Sequence, residues 1–226
     1  MKKILAILLT LVAFSAFAVM GMAEGVMTYA DYAAAEMDTE VVIETYVQAH
    51  QSWWDNKVTV YTQDQNGAYF LYELACSEED AAKLVPGTKI KVTGYKGQWA
   101  GEVEVMDGTF EFVEGGDTFI AEALDVTELL GTEELINHQN KFVSFKGLTL
   151  EGVEYKNGEP GDDIYLTVSH NGQSYSFCVE VYLTGPDSDV YKAVAELQAG
   201  DVVDVEGFLY WYEGVNTHVT SIAKAQ

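Results

Sequence analysis

The sequence predicts an all-β protein with minor helices, built as two tandem five-stranded barrels that each carry one helix between strands 3 and 4. Short runs of alternating apolar residues, separated by turn signals, predict the strands. A repeat predicts the two copies, because the segment from Leu84 to Gly101 matches the segment from Leu197 to Gly214 at a constant offset of 113 residues. The matched positions include three glycines, which indicates one supersecondary unit used twice.

The composition and net charge exclude some classes of binding partner. The chain has 226 residues, of which 48% are hydrophobic and 21% charged, as in a globular protein of one or two domains. Its net charge is −24, and all 12 cationic residues are lysines. Phosphate recognition relies on a cationic surface and favours arginine. We therefore expect no nucleic acid among the partners, and no anionic membrane surface.

Residues 1–23 have the layout of a secretory signal peptide. Lys2 and Lys3 precede an uncharged apolar run, and Ala23 supplies the small residue before a cleavage site. An uncleaved membrane anchor is the alternative, because the run is nearly long enough to span a bilayer. The expectation is a secreted or extracytoplasmic protein that has no membrane contact after signal cleavage.

Each half reads as strand, hairpin, helix and a final pair of strands. The first strands are expected at 40–50 and at 141–153, the second of them bent at Gly147. Hairpins are expected at 57–74 and 163–181, and both have Asn-Gly in the turn. Ser77 marks the start of the first helix as an N-cap, and the second helix begins at about Ser188.

These elements divide the chain into five parts. Between and before the barrels, two segments are expected to be helical, and the lack of a flexible tract between the barrels predicts a fixed relative orientation. The expected parts are a signal peptide at 1–23, an N-terminal helical segment at 24–40, a first domain at 41–116, a helical linker at 117–140 and a second domain at 141–226.

The order of three strands, a helix and two strands resembles the OB-fold, a small five-stranded barrel. The resemblance covers nearly all of 41–226 and rests on element order, the bent strand and the repeated Gly-rich hairpin. The chain is similar to the tandem OB-fold proteins that bacteria export, many of them without an assigned function. A pair of small β-sandwiches is the competing fold, and the single interposed helix argues against it.

The resemblance implies a ligand site framed by the loops that join strands 1 and 2 and strands 4 and 5. Aromatic residues gather in these expected loops, and flat aromatic faces stack on sugars, bases or apolar side chains. Cross-strand packing is the structural alternative. Trp53 and Trp54 are adjacent, so one of them is expected to be exposed. The candidate ligand-binding residues are Trp53, Trp54, Tyr95, Trp99, Tyr155, Tyr210, Trp211 and Tyr212.

The remaining motifs point to no catalytic or metal chemistry. The sequence has no metalloprotease, serine-hydrolase, Cys-x-x-Cys or phosphate-loop motif, so no catalytic residue, metal or cofactor is expected. Asp162 and Asp163 are acidic neighbours, but they match no calcium loop. Cys76 and Cys178 are either two buried thiols or an interdomain disulfide.

These observations predict an exported, non-catalytic binding module whose aromatic loops bind an oligosaccharide or a protein segment. The alternative is a structural or accessory interaction protein, or an inhibitor, whose aromatic loops bury against a protein partner. The oligomeric state is open.

Overall fold

A computed structural model describes residues 25–225, so the expected signal peptide lies outside the described residues. The first barrel closes on itself in the strand order β1-β2-β3-β5-β4, with β3 and β5 running parallel and the other neighbours antiparallel. Its strands are β1 (Glu40–His50), β2 (Lys57–Gln63), β3 (Ala68–Ala75), β4 (Lys89–Trp99) and β5 (Glu102–Phe112).

The second half repeats this pairing. The strands pair in the order β7-β8-β9-β11-β10, and a further pairing of β10 with β7 closes the sheet. A two-residue strand, β6 (Leu124–Asp125), runs parallel to β7 outside this ring. The other strands are β7 (Phe142–Tyr155), β8 (Ile164–His170), β9 (Gln173–Val179), β10 (Val202–Phe208) and β11 (His218–Lys224). The predicted all-β fold class is confirmed, and the closed five-stranded barrel fits the OB-fold.

Alternation along the strands places one apolar set inside each barrel. On β1, Val41, Ile43 and Val47 are fully buried in the first core, and the residues between them are mostly half-buried. On β7 the buried set changes phase at Gly147, whose φ of +66° a side chain rarely adopts. There β7 pairs with β10 through a register shift, so the predicted bend is a β-bulge.

Within residues 25–225 there are four short α-helices: α1 (Tyr29–Ala34), α2 (Glu78–Ala81), α3 (Val181–Thr184) and α4 (Asp189–Ala195). The capping predicted for α2 is present, because Ser77 Oγ accepts from the Asp80 amide at 3.1 Å. The last turn of α1 is held by the buried Lys96, whose Nζ donates to three main-chain carbonyls at 2.8–3.0 Å.

The segment between the barrels differs from the helical linker expected at 117–140. It contains β6 and two single turns of 3₁₀-helix, Thr127–Leu129 and Leu135–His138. Gly131 lies between the two turns with φ +89°, a conformation that ends a helix. Leu130 and Leu135 nevertheless pack in the second core, so this segment is attached to that barrel.

The two barrels dock through an apolar cluster and a set of polar contacts. Tyr61 and Phe70 on the outer face of the first barrel are buried against Phe208 of the second. The Tyr61 hydroxyl and Nδ1 of the buried His218 lie 2.6 Å apart. The amide of Phe142 also donates to Gln63 Oε1 at 2.8 Å.

A carboxyl group lies in the same junction. Glu102 is fully buried, and its Oε2 accepts from the main-chain amide of Trp211 at 2.8 Å, while its Oε1 has no partner. Burial raises the pKa of Glu102 to about 9, against the opposing effects of the Trp211 amide and Asn140. The carboxyl is therefore protonated at neutral pH.

Cys76 and Cys178 are buried and unpaired, which agrees with the first of the two alternatives for them. Burial raises the pKa of the Cys76 thiol to about 11. Within residues 25–225, no helix is long and apolar enough to cross a membrane.

Glu102 makes the stability of the junction depend on pH. Because its pKa is raised on folding from an ordinary value of 4.5 to about 9, the native chain binds one proton more than the unfolded chain between these values. The contribution of Glu102 to the free energy of unfolding therefore falls as pH rises from about 4.5 to about 9, by up to ~1.4 kcal/mol per pH unit. Glu102→Gln keeps an acceptor for the Trp211 amide and is expected to remove this slope.

Denaturant unfolding at several pH values between 5 and 9 measures the slope directly. The exposed carboxylate of Glu133 supplies the matched control, Glu133→Gln, which is expected to keep the native slope. Equal slopes for the native chain and Glu102→Gln would show that the Glu102 carboxyl is not protonated in the junction.

Candidate functional groove

The docking of the barrels leaves part of one OB-fold surface open. In this fold, ligands bind on the outer face of strands 2 and 3. On the first barrel, Tyr61 and Phe70 of that face are covered by the second barrel, whereas Tyr72, two residues after Phe70 on β3, remains exposed. The open part is a groove bounded by the β1–β2 loop, β2, β3, the middle of β5 and α3.

The groove consists of two adjoining hollows that share Lys57, Tyr72 and Glu73. The first has a volume of about 390 Å³ and extends toward the β1–β2 loop and α3. The second has a volume of about 330 Å³ and extends across β5 at Met106–Thr109. Because they share these residues, the two hollows adjoin, and the groove extends from the β1–β2 loop to β5.

Three exposed aromatic side chains line the groove. Trp54 is 78% exposed, Tyr182 is 60% exposed and Tyr72 is 42% exposed. Large aromatic groups in water at a concave surface carry an unfavourable hydration free energy that a stacked ligand ring relieves. They come from the β1–β2 loop, from α3 and from β3, so both barrels contribute to the surface.

The position of Tyr182 is set by hydrogen bonds at both ends of α3. Glu180 caps the helix by accepting from the Leu183 amide at 2.7 Å. The Tyr182 carbonyl accepts from the Ser52 amide at 2.7 Å, which attaches α3 to the β1–β2 loop of the other barrel. Burial, and secondly the charge of Asp163, raise the pKa of Glu180 to about 7.

The charges in the groove largely cancel. Lys57 is the one cation lining either hollow among the described residues, and its Nζ lies 2.7 Å from Glu73 Oε2. The hydrogen bond between them raises the pKa of Lys57 and lowers that of Glu73. Asp107 adds a further acid at the β5 end. The groove therefore offers aromatic faces and a balanced ion pair, with no free cationic surface.

Four of the ten non-glycine residues with positive φ within residues 25–225 lie at or beside this groove. Glu73 and Asp107 line it with φ values of +49° and +50°, and Asp55 and Asn56 in the β1–β2 loop have +47° and +60°. Asp and Asn adopt this region readily, whereas a glutamate there costs on the order of 1–3 kcal/mol, so the strain lies at Glu73. Glu73 lines the groove, and its carboxylate accepts from Lys57 Nζ at 2.7 Å.

The candidate aromatic residues of the first barrel fall in different environments. Of the Trp53–Trp54 pair, Trp54 is exposed in the groove, while Trp53 packs on the first core and donates from Nε1 to the Cys76 carbonyl at 2.9 Å. Tyr95 and Trp99 were expected in a loop, but β4 continues through Trp99, so both lie on the strand and are exposed there.

The candidates of the second barrel are mostly packed. Tyr155 and Trp211 lie against the second core, and Tyr210 packs on the interdomain cluster, where its ring stacks on His218 at 4.1 Å. Tyr212 is 48% exposed and contacts Trp99. The structure therefore brings only Trp54 of the eight candidates into the groove.

Sequence reasoning missed Tyr72, Tyr182 and Lys57. Tyr72 alternates with the buried Leu71 on β3, so its outward direction was available from strand parity. Tyr182 lies on the second barrel, and no local signal indicates that it reaches the first. Asp162 and Asp163 form ion pairs with Lys156 at 3.3 and 3.0 Å, and no group of three metal-ligating side chains lies together within residues 25–225.

No protein-family model and no curated protein sequence matches this chain. Solved structures do match at low identity. A murine DNA-binding protein bound to double-stranded DNA matches with a TM-score of 0.40 and 10% identity over 82% of this chain and 96% of its own. The HINb domain of p204 matches with a TM-score of 0.36 and 10% identity, over 80% of this chain and 95% of its own. A replication protein A heterotrimer bound to single-stranded DNA matches with a TM-score of 0.31 and 12% identity, over 80% of this chain and 50% of the matched chain.

These matches contradict two expectations from the sequence. Two of the matched proteins are bound to DNA, whereas we expected an oligosaccharide or protein ligand, or an accessory or inhibitory protein contact, and excluded nucleic acid. The exclusion was wrong in its reasoning, because the lack of arginine concerns phosphate contacts and leaves base stacking untouched. At 10–12% identity the matches assign no ligand, which has to be argued from this chain's own groove.

The two adjacent tryptophans are expected to differ in their effect on stability. Trp53→Ala removes a packed ring and leaves the Cys76 carbonyl without its donor, so it should lower the free energy of unfolding by about 2–4 kcal/mol. Trp54→Ala should change it by less than about 0.5 kcal/mol because the side chain is mostly in water. Urea unfolding of both variants measures the difference, and equal losses would contradict the assignment of Trp54 to an open groove.

Proposed function

We propose that this protein is a non-catalytic binding protein that takes planar heteroaromatic rings of the nucleobase class, presented by a single nucleic-acid strand, in the groove between its barrels. The observation that carries the proposal is the open channel across β2, β3 and β5, lined by Trp54, Tyr72 and Tyr182. Single-strand binding needs an extended path with aromatic faces, because every base has a face that can stack.

The electrostatics support contact through bases over contact through phosphates. The net charge of −24 repels a polyanion, and the Lys57 charge in the groove is balanced by Glu73. An ordinary single-strand binder loses affinity with salt because each phosphate contact releases counterions. Here the only attractive contribution is stacking, so salt screens a repulsion and leaves the attraction intact.

The strained backbone supports the same groove. Glu73 and Asp107, which line the groove, are both in left-handed conformations. The strain at Glu73 persists because closure of the barrel fixes both strands. The floor of the channel is therefore rigid before a ligand arrives, which limits the ordering cost of binding.

Binding is expected to depend on the bases and on the groove aromatics. A single strand of about four nucleotides is titrated against the protein beside an abasic strand of equal length and the free nucleoside. The strand with bases should bind, the abasic strand should not, and affinity should stay level or rise as salt increases. Trp54→Ala and Tyr72→Ala should each weaken binding by about 1–3 kcal/mol.

Ile120→Ala is the matched control, because Ile120 is an apolar residue of similar exposure that lines neither hollow. It should bind like the native chain. Equal affinity of the abasic strand, or an affinity that falls steeply with salt, would contradict base stacking. Equal affinity of the free nucleoside would instead assign the groove to nucleosides.

We also propose that the protein is a bacterial exported protein that arose by duplication of one OB-fold unit. The apolar run after Lys2 and Lys3 and the repeat at an offset of 113 residues support this. Expression in a bacterium with an intact export pathway should yield a chain that begins at Glu24 and lies outside the cytoplasm. Intact-mass measurement of the fractionated protein checks this, and a full-length cytoplasmic product would contradict export.

A further inference from the structure

A β-bulge on β3 places Tyr72 and Glu73 on the same side of the first barrel, where both line the groove. Leu71 and Leu74 are both buried in the first core, and the pairing of β2 with β3 shifts register between them. Thr59 of β2 alone therefore faces two residues of β3, and its Oγ1 accepts from the Glu73 amide at 3.2 Å. In a regular strand two successive side chains point to opposite faces, so the bulge is what brings an aromatic ring and a carboxylate together.

A two-residue turn places Trp54 beside Lys57. The main chains of these two residues exchange hydrogen bonds of 3.0 and 2.9 Å across Asp55 and Asn56. Both turn residues have positive φ, which is the pattern of the type I′ turn that closes two-residue hairpins. Residues directly opposite each other across such a turn have their side chains on one face, so Trp54 and Lys57 both face the first hollow of the groove.

The Lys57–Glu73 ion pair is common to both hollows and keeps unused hydrogen-bonding capacity. Lys57 Nζ and Glu73 Oε2 are 2.7 Å apart, and the two side chains are 51% and 42% exposed. An ammonium has three donors and a carboxylate about four acceptor positions, so the contact between them occupies one of each. Because both groups are in contact with water, a ligand reaches the remaining positions without breaking the pair.

The backbone of Glu73 distinguishes this pair from an ordinary ion pair on the protein surface. Glu73 is held at φ +49°, a strained conformation for a glutamate, whereas an exposed ion pair contributes little to stability. Lys91 and Glu111 of the same barrel form a pair at 3.2 Å, and neither has a positive φ. An ion pair on this barrel therefore forms without strain, and the bulge adds the position of the carboxylate on the groove face.

The pair offers one donor group beside a bidentate acceptor, and this pattern matches a single nucleobase. Along its Watson–Crick edge guanine has an acceptor, O6, followed by two adjacent donors, N1–H and N2–H₂. Adenine and thymine each offer a carboxylate one donor on that edge, and cytosine offers its single donor beside two acceptors. The Glu73 carboxylate can therefore accept two parallel hydrogen bonds from guanine alone, while Lys57 donates to O6.

We propose that the Lys57–Glu73 pair selects guanine as the base that stacks in the groove, with the Glu73 carboxylate on N1–H and N2–H₂ and the Lys57 ammonium on O6. The inference rests on the proposed function and adds which base of the strand the groove takes. Stacking on Trp54 and Tyr72 distinguishes the bases poorly, because every base has a face that can stack. Hydrogen bonds to the pair replace hydrogen bonds to water, so they contribute more to selectivity among bases than to affinity.

Strands that differ at one base test the proposal on the native chain. Thymine strands of about four nucleotides, each with one internal guanine, inosine or adenine nucleotide, are titrated by fluorescence anisotropy, and free guanosine is titrated as their competitor. The guanine strand should bind about tenfold or more tighter than the adenine strand. The inosine base lacks the 2-amino group and keeps O6 and N1–H, so its strand should bind about threefold to tenfold more weakly than the guanine strand. Free guanosine, which has no neighbouring bases to stack, should bind more weakly than the guanine strand.

Glu73→Gln keeps the size of the side chain and replaces one of its two acceptor oxygens by a donor. It should lose most of the preference for guanine over adenine. Glu111→Gln is the matched control, because it removes the same charge from the Lys91 pair, and neither residue of that pair lines either hollow. It should keep the native preference.

The affinities of the native chain separate this inference from the proposed function. Equal binding of the guanine, inosine and adenine strands would overturn guanine selection and leave the proposed function standing. A guanine preference that persists in Glu73→Gln would overturn the role of the ion pair. Equal affinity for free guanosine would overturn the strand as the source of the base. If no strand binds the native chain, the proposed function and the inference both fail.

Discussion

The packing of the second barrel on the outer face of the first is the constraint from which the other features of this protein follow. Tyr61 and Phe70 lie on a face that an isolated OB-fold barrel would expose, and Phe208 and Tyr210 cover it. Because these rings are buried, the junction behaves as a small core between the two larger ones. The groove is what remains of the face, and Tyr182 reaches it only because the barrels are docked.

Burying a polar junction requires that its polar groups be satisfied or neutral. The Tyr61 hydroxyl is hydrogen-bonded to His218, and the Gln63 side chain accepts a hydrogen bond from the Phe142 amide. Glu102 is neutral because it stays protonated, since its Oε1 has no partner and the acid Glu104 is its charged neighbour. Burial also holds the pKa of His218 at about 3, so the imidazole is neutral. The junction therefore contains ionisable groups but carries little charge at neutral pH.

The strongly acidic composition and the exposed aromatic residues both favour binding by stacking over binding by charge. A surface with 36 acidic and 12 basic residues repels phosphates, and the groove keeps its lysine paired with Glu73. Aromatic faces are insensitive to that field because stacking depends on contact area and dispersion, not on net charge. The exposed aromatic residues form two clusters, one in the groove and one at the hairpin tips.

The sequence by itself determined the features that depend on neighbours within a few residues. The hairpin turns at Asn66-Gly67 and Asn171-Gly172, the Ser77 cap and the bulge at Gly147 all follow from local dihedral preferences and local hydrogen bonds. The barrel fold was predicted because the succession of elements resembles the OB-fold, and the repeat extended that prediction to both copies. The linker was the local failure, since its leucines fit a helical period while Gly131 ends the helix.

Only the tertiary structure decided which aromatic residues face water. Trp53 and Trp54 are chemically alike and adjacent, yet one caps a core and the other lines the groove. Tyr210 and Trp211 are only half-buried, and Trp211 contacts Glu102 and Gly101, 109 and 110 positions earlier in the chain. Exposure at a junction depends on how two complete barrels fit together, and that fit is the sum of many weak contacts between distant segments. No local pattern in the sequence encodes it.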